Sequence, residues 1–65
     1  VKVSARAERG MAERGLNLSE VMKKAASMVG GFGGGHNVAA GATIPGDRKE
    51  EFLDIVEDLV SAQVI

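Results

Sequence analysis

The segment GGFGGGH at residues 30–36 divides the chain into two regular halves. Five of the six residues before His36 are glycine, and a glycine inside a helix or strand costs roughly 0.5–1 kcal/mol relative to alanine. We therefore expect residues 30–35 to form an irregular loop. The small residues at positions 39–41, Ala-Ala-Gly, leave room for another backbone or a ligand to approach this loop.

Residues 1–8 predict a strand. Their side chains alternate between apolar and polar, which is the period of a half-buried strand. Ser4 and Arg6 fall on the polar face, and the apolar face is expected to contact the core. The polar face is then either exposed to solvent or the wall of a binding site.

A helix is predicted over residues 18–29. Asn17 followed by Glu20 is typical of a helix N-cap, and apolar side chains recur after it at helical spacing. The preceding residues 9–16 contain two glycines and predict a connection, with a short helical turn at residues 11–14.

The second half of the chain predicts another strand and another helix. Residues 40–44 predict a second, buried strand that Pro45 ends. Asp47 with Glu50 is the pair expected of a capping box, and an apolar stripe predicts a helix over residues 48–62. Its opposite, acidic face is expected to be solvated.

The order of elements predicts the fold class. We expect an α/β protein, a small β-α-β-α fragment of a mixed sheet with helices packed on it, in which residues 1–65 form a single domain. Two strands do not make a stable sheet alone, so their edges should pair with missing strands of a parent protein or with a second copy in a homodimer. Because the chain starts on a strand without an initiator methionine, we expect it to be a fragment of a longer protein.

Composition excludes several kinds of site. The 65 residues include no cysteine and one histidine, which excludes disulfides, thiolate sites and a zinc site with several imidazoles. Eight basic and nine acidic residues argue against a generic nucleic-acid clamp. No apolar run is long enough to span a membrane and no signal-peptide pattern is visible, so we expect a cytoplasmic protein without a membrane partner.

The glycines of the segment favour an anion site. Backbone N–H groups in a glycine-rich stretch can bind an anion because no Cβ blocks its approach. The pattern matches neither the Walker loop nor the dinucleotide fingerprint, and a flexible linker is the alternative interpretation. A linker does not need the histidine that follows, so we interpret Gly33, Gly34, Gly35 and His36 as a phosphate-binding set.

Three side chains can complete such a site. His36 ends the glycine run, where its ring can donate to a phosphate oxygen or act as an acid. Ser4 and Arg6 project from one strand face, and a hydroxyl beside a guanidinium suits an oxyanion. An ordinary exposed strand face is the alternative for this pair. We find no nucleophile set and no metal ligands, so we assign no catalytic residue.

Residues 33–45, GGGHNVAAGATIP, resemble the signature of the DHH-associated domain, the C-terminal domain of the DHH phosphoesterase superfamily. The strand with Ser4 and Arg6 is also similar to that family, in which a Ser-x-Arg strand precedes the helix and the glycine motif. The resemblance covers essentially the whole chain. His36 favours the branch of RecJ-like exonucleases and oligoribonuclease/phosphatases, because an alanyl-tRNA-synthetase-like relative usually carries arginine there.

The resemblance implies a function shared with another domain. Such domains sit beside a DHH catalytic domain that holds two metal ions, typically manganese, with magnesium as the other candidate; this chain would bind neither. His36 and the amides of Gly34 and Gly35 would face the scissile or terminal phosphate of the substrate. Arg6, with Ser4, would contact phosphate or sugar.

The implied substrate contains phosphate, such as the end of single-stranded DNA or RNA, or a nucleotide. The sequence has no Asp-His-His string, so this chain alone is not expected to hydrolyse a phosphodiester. The alternative is a non-catalytic module for nucleic-acid or tRNA binding or for dimerisation.

Overall fold

A computed structural model describes residues 1–63 of the chain. In chain order the elements are β1 (Lys2–Arg6), α1 (Arg9–Glu13), α2 (Leu18–Met28), β2 (Phe32–Gly35), β3 (Ala39–Thr43) and α3 (Lys49–Gln63). A single turn of 3-10 helix, Gly46–Arg48, precedes α3. The predicted class, an α/β protein with helices packed on a sheet, is confirmed.

The glycine segment is the main difference from the prediction. Residues 32–35, expected to be an irregular loop, form β2 and pair with β3, with Gly33 opposite Ala42. The reason is close packing: a Cβ on Gly33 would lie 2.8 Å from the backbone oxygen of Met22. Only glycine lets the strand lie directly against α2, and this contact outweighs the entropy that glycine loses on folding.

The sheet has the strand order β1-β3-β2, and both strand pairs are antiparallel. The glycine strand therefore supplies the third strand that the sequence prediction lacked. β3 lies in the centre and is bordered by β1 on one side and β2 on the other. Three strands with a helix packed on them can form a stable unit, which two strands cannot.

α2 is the helix that covers the sheet. The predicted N-cap is confirmed, since the side-chain oxygen of Asn17 accepts a hydrogen bond of 3.2 Å from the backbone N–H of Glu20. The apolar side of the helix, including Val21 and Met22, is fully buried. α2 contacts β2 and β3 with its apolar residues and α3 along another side.

α3 begins one residue later than predicted. Asp47, expected to cap this helix, lies inside the 3-10 turn instead. At the start of α3, Arg48 and Glu51 form an exposed ion pair of 2.7 Å. The hydrogen bond from Arg48 lowers the pKa of the Glu51 carboxyl. Phe52 is the residue of α3 that is completely buried in the core.

The core lies on one face of the sheet. Ala40 and Ala42 of β3 point into it and meet the apolar side of α2. The alternate side chains of β1, Lys2, Ser4 and Arg6, are exposed on the other face. None of the helices within residues 1–63 is long and apolar enough to cross a bilayer. The helices thus cover one face of the sheet, and the opposite face is open.

Candidate functional site

The open face of the sheet brings Ser4, Arg6 and Gly34 of the predicted site together. The strand register aligns residues of β1, β3 and β2 in rows that run across the sheet. The hydrogen bond from the N–H of His36 to the carbonyl of Ala39 adds His36 to the last of three rows. The rows are Lys2–Thr43–Phe32, Ser4–Gly41–Gly34 and Arg6–Ala39–His36. Because side chains alternate along a strand, the eight of these residues that belong to strands share the face away from the helices, and His36 lies in the turn that follows β2.

The three predicted site glycines have different surroundings. Gly33 faces α2, where a Cβ would clash with backbone. Gly35 has a φ of 140°, and a Cβ there would lie 2.7 Å from the Cα of Ala40, so both its conformation and its close approach require glycine. Gly34 lies on the open face. Of the three positions, Gly34 is therefore the one that keeps this face clear of side-chain atoms.

Backbone hydrogen bonding also differs among the glycines. Residues 36 and 39 form a hydrogen-bonded pair, with His36 N–H donating to Ala39 over 2.7 Å. Hydrogen-bonded and non-hydrogen-bonded residue pairs alternate along an antiparallel pair of strands. Gly35 and Ala40 are therefore a non-hydrogen-bonded pair, and the N–H of Gly34 is directed to Gly41 in the next pair. The N–H of Gly35 is directed to the free edge of β2. Of the two amides that the resemblance assigns to phosphate, the Gly35 amide is the one accessible to a ligand.

The turn between β2 and β3 fixes the position of His36. The carbonyl of Val38 accepts a bond of 2.8 Å from the N–H of Ala7, which follows β1. The carbonyl of Asn37 accepts one of 3.0 Å from the N–H of Leu18, at the start of α2. The turn is thus held from two sides, while the histidine side chain remains exposed.

Arg6 and His36 lie at the same end of the sheet. Arg6 is paired with Ala39, which in turn bonds to His36, so two strand spacings, about 10 Å, separate the backbones of Arg6 and His36. Both side chains are exposed. Ser4 lies in the next row, on the same face of the sheet as Arg6.

Two shallow cavities of about 290 and about 280 Å³ lie side by side on this face and share Ser4, Gly34 and Gly41. We call the combined depression the open-face trough. Its floor is Gly34 and Gly41. Lys2, Ser4 and Arg6 of β1 form one wall, and the far end is bordered by Phe32.

Lys23 is a candidate site residue that the sequence did not indicate. It is exposed on α2, and its Cε lies 3.5 Å from the position that a Cβ on Gly34 would occupy. The side chain therefore reaches β2 at Gly34, and it also lines a separate groove beside α3. Nothing in the sequence signals this, because the approach of Lys23 to Gly34 depends on how α2 packs on the sheet.

The charges bordering the trough are of one sign. The nine residues of the three rows include Lys2 and Arg6 but no carboxylate, and Lys23 approaches Gly34 from α2. The chain as a whole has a formal net charge of −1. This face can therefore attract an anion although the complete chain is nearly neutral.

The described residues do not fit the two metal ions that the resemblance implies. Manganese and magnesium need several carboxylate or imidazole ligands. Within residues 1–63, no three or more histidine, cysteine, aspartate or glutamate side chains gather as such a group. What these residues can do chemically is bind and orient an anionic ligand, with Arg6, His36, Ser4 and Lys23 as donors.

Comparison with known proteins gives two matches. The family model of the DHHA1 domain matches residues 1–62. An uncharacterized protein of Methanocaldococcus jannaschii, MJ0831, is 46% identical over 63 residues, which is 97% of this chain. The chain spans 14% of the length of that relative.

Proposed function

Because this chain belongs to the DHHA1 domain family, we propose that its open-face trough binds the terminal or scissile phosphate of a substrate of a DHH phosphoesterase. The family match confirms the resemblance that residues 33–45 carry, and the family implies an accessory domain of DHH-family phosphoesterases. The observation that carries the proposal is the register that brings Ser4, Arg6 and Gly34 to one exposed face, with His36 exposed in the adjoining turn.

The chemistry of the trough suits a phosphate. The guanidinium of Arg6 can donate two parallel hydrogen bonds to phosphate oxygens, and bonds to a charged acceptor are roughly twice as strong as neutral ones. Ser4 and His36 add donors from either side, and Lys23 adds a positive charge at the edge of β2. The bare floor at Gly34 and Gly41 lets the anion approach the sheet.

The role of this chain in the reaction is positioning. Holding a phosphate in a fixed orientation lowers the entropy cost of reaching the transition state in the domain that performs the chemistry. We propose a DHH catalytic domain as the partner that faces the trough and supplies metal ions and the attacking water. The end of single-stranded DNA or RNA, or a nucleotide, is the proposed substrate, and a RecJ-like exonuclease or oligoribonuclease/phosphatase is the proposed parent.

Arg6→Ala tests this function against a matched control. Arg9 is also exposed, but it lies on α1 and lines neither cavity of the trough. We expect Arg6→Ala, in the protein at its natural length, to weaken binding of a nucleoside monophosphate by about tenfold or more, because it removes charge-assisted hydrogen bonds worth roughly 1.5–3 kcal/mol. Calorimetric titration measures the affinity. Equal effects of Arg6→Ala and Arg9→Ala would contradict the proposal.

A further inference from the structure

Phe32 is the most exposed large apolar side chain among the described residues. It is 71% exposed and lies on the open face, in the row that also holds Lys2 and Thr43. A single exposed apolar residue is ordinary on a protein surface. Its position is what matters here, since the ring borders the same trough whose other end carries Arg6.

The two ends of the trough are separated by a distance suited to a nucleotide. Phe32 lies in the row of Lys2, and Lys2 and Arg6 are four positions apart on β1, which corresponds to roughly 13 Å of extended chain. Between these two ends, the floor of the trough is formed by Gly34 and Gly41. Neither residue has a side chain that would separate the two ends. A ligand with a phosphate at one end and a flat ring at the other matches this arrangement.

We propose that Phe32 is a stacking platform for an unpaired base of the substrate whose phosphate is held by Ser4, Arg6 and His36. The inference rests on the function proposed above and adds a second subsite to it. An aromatic side chain on an open sheet face offers its ring to a base that is not stacked in a duplex. Lys2, in the same row, places a positive charge where the next phosphate of the strand would pass.

This subsite separates substrates by whether they carry a base. Pyrophosphate or an abasic sugar-phosphate backbone can occupy the phosphate end but gains nothing at Phe32. A base in a duplex has both faces covered by its neighbours and cannot reach the ring without unstacking. The subsite therefore selects single-stranded ends and free nucleotides.

The test compares Phe32→Ala and Phe32→Trp in the protein at its natural length. The ligands are a short oligothymidylate with a terminal phosphate, the corresponding oligouridylate, and the same backbone with abasic sites. We expect Phe32→Ala to weaken binding of the base-bearing ligands by roughly 5- to 150-fold and to leave the abasic ligand unaffected. Phe32→Trp keeps an aromatic face and should retain the affinity. The exposure of Phe32 means that the alanine variant should fold, which circular dichroism checks.

The outcomes distinguish the two proposals. Stacking is refuted if Phe32→Ala weakens the abasic ligand as much as the others, or weakens none of them. The phosphate site, by contrast, fails if Arg6→Ala leaves the affinities of all three ligands unchanged.

Discussion

Lys23 and Lys24 are adjacent in sequence but have different positions relative to the trough. Both lysines line a separate groove beside α3, and the side chain of Lys23 in addition passes within contact distance of the Gly34 position. The sequence identifies both only as basic residues in the later half of a helix. The direction of each side chain depends on the packing of α2 against β2, which periodicity alone does not determine.

The two lysines give a matched pair of variants. We expect Lys23→Ala to weaken binding of a phosphate-terminated oligonucleotide and to reduce the slope of log K against log salt by about 1, because one fewer counterion is released. Lys24→Ala should leave the slope unchanged. The measurement is a salt titration of affinity by fluorescence anisotropy. Identical slopes for the two variants would show that Lys23 does not contact the ligand.

The shared face of Ser4 and Arg6 could be predicted from the sequence. Alternation along residues 1–8 places Ser4 and Arg6 on one face, and β1 has this face exposed. The position of His36 beside them required the strand register. That register arises from the hairpin between β2 and β3, which the sequence prediction did not include because it assigned the glycines to a loop.

At the scale of elements, the helices were predicted well and the glycine strand was not. Residues 18–29 and 48–62 carry apolar stripes of helical period, and the helices observed are Leu18–Met28 and Lys49–Gln63. β2 has almost no side chains, so it shows no periodicity that a sequence could reveal. Its strand structure comes from pairing with β3 and packing against α2, both of which are tertiary interactions.

Gly33→Ala and Gly34→Ala separate the packing role of β2 from its role in the site. A methyl at residue 33 would lie 2.8 Å from a backbone oxygen of α2 and 2.9 Å from one of β3, so backbone must move. We expect this variant to lose about 1–3 kcal/mol of unfolding free energy in urea titration. A methyl at residue 34 meets only the flexible end of Lys23, so stability should change by less than about 0.5 kcal/mol.

The second variant should nevertheless impair function. The methyl on residue 34 would project into the trough and hold a phosphate away from the sheet, so affinity for a nucleoside monophosphate should fall while stability is retained. Calorimetric titration of both variants checks this. If Gly34→Ala binds as tightly as the unmodified protein, the ligand does not approach the floor of the trough.

For the whole molecule, the main feature is the difference between the two faces of the sheet. One face is covered by helices and holds the core, and the other exposes Lys2 and Arg6 beside a glycine floor. The expected α/β class followed from the order of elements. The open face did not, because two predicted strands cannot show which side of a three-stranded sheet the helices cover.

The same asymmetry explains why overall charge was a poor guide to the site. A formal net charge of −1 argues against binding of an extended nucleic acid by charge alone. It does not exclude a local anion site, because acidic residues on α3 contribute to the total but are separate from the three rows of the open face. We therefore expect recognition of one phosphate group and its neighbours, not of a long duplex.

The central claim is that the open face, and not the helical side, binds a phosphate end. The most direct measurement is an NMR titration of the isotope-labelled protein, at its natural length, with a nucleoside monophosphate. The account predicts that the amide signals of Ser4, Arg6, Gly34, Gly35 and His36 shift with a common saturation curve. Shifts confined to α3 or to the groove beside Lys24, with no change at these five amides, would contradict it.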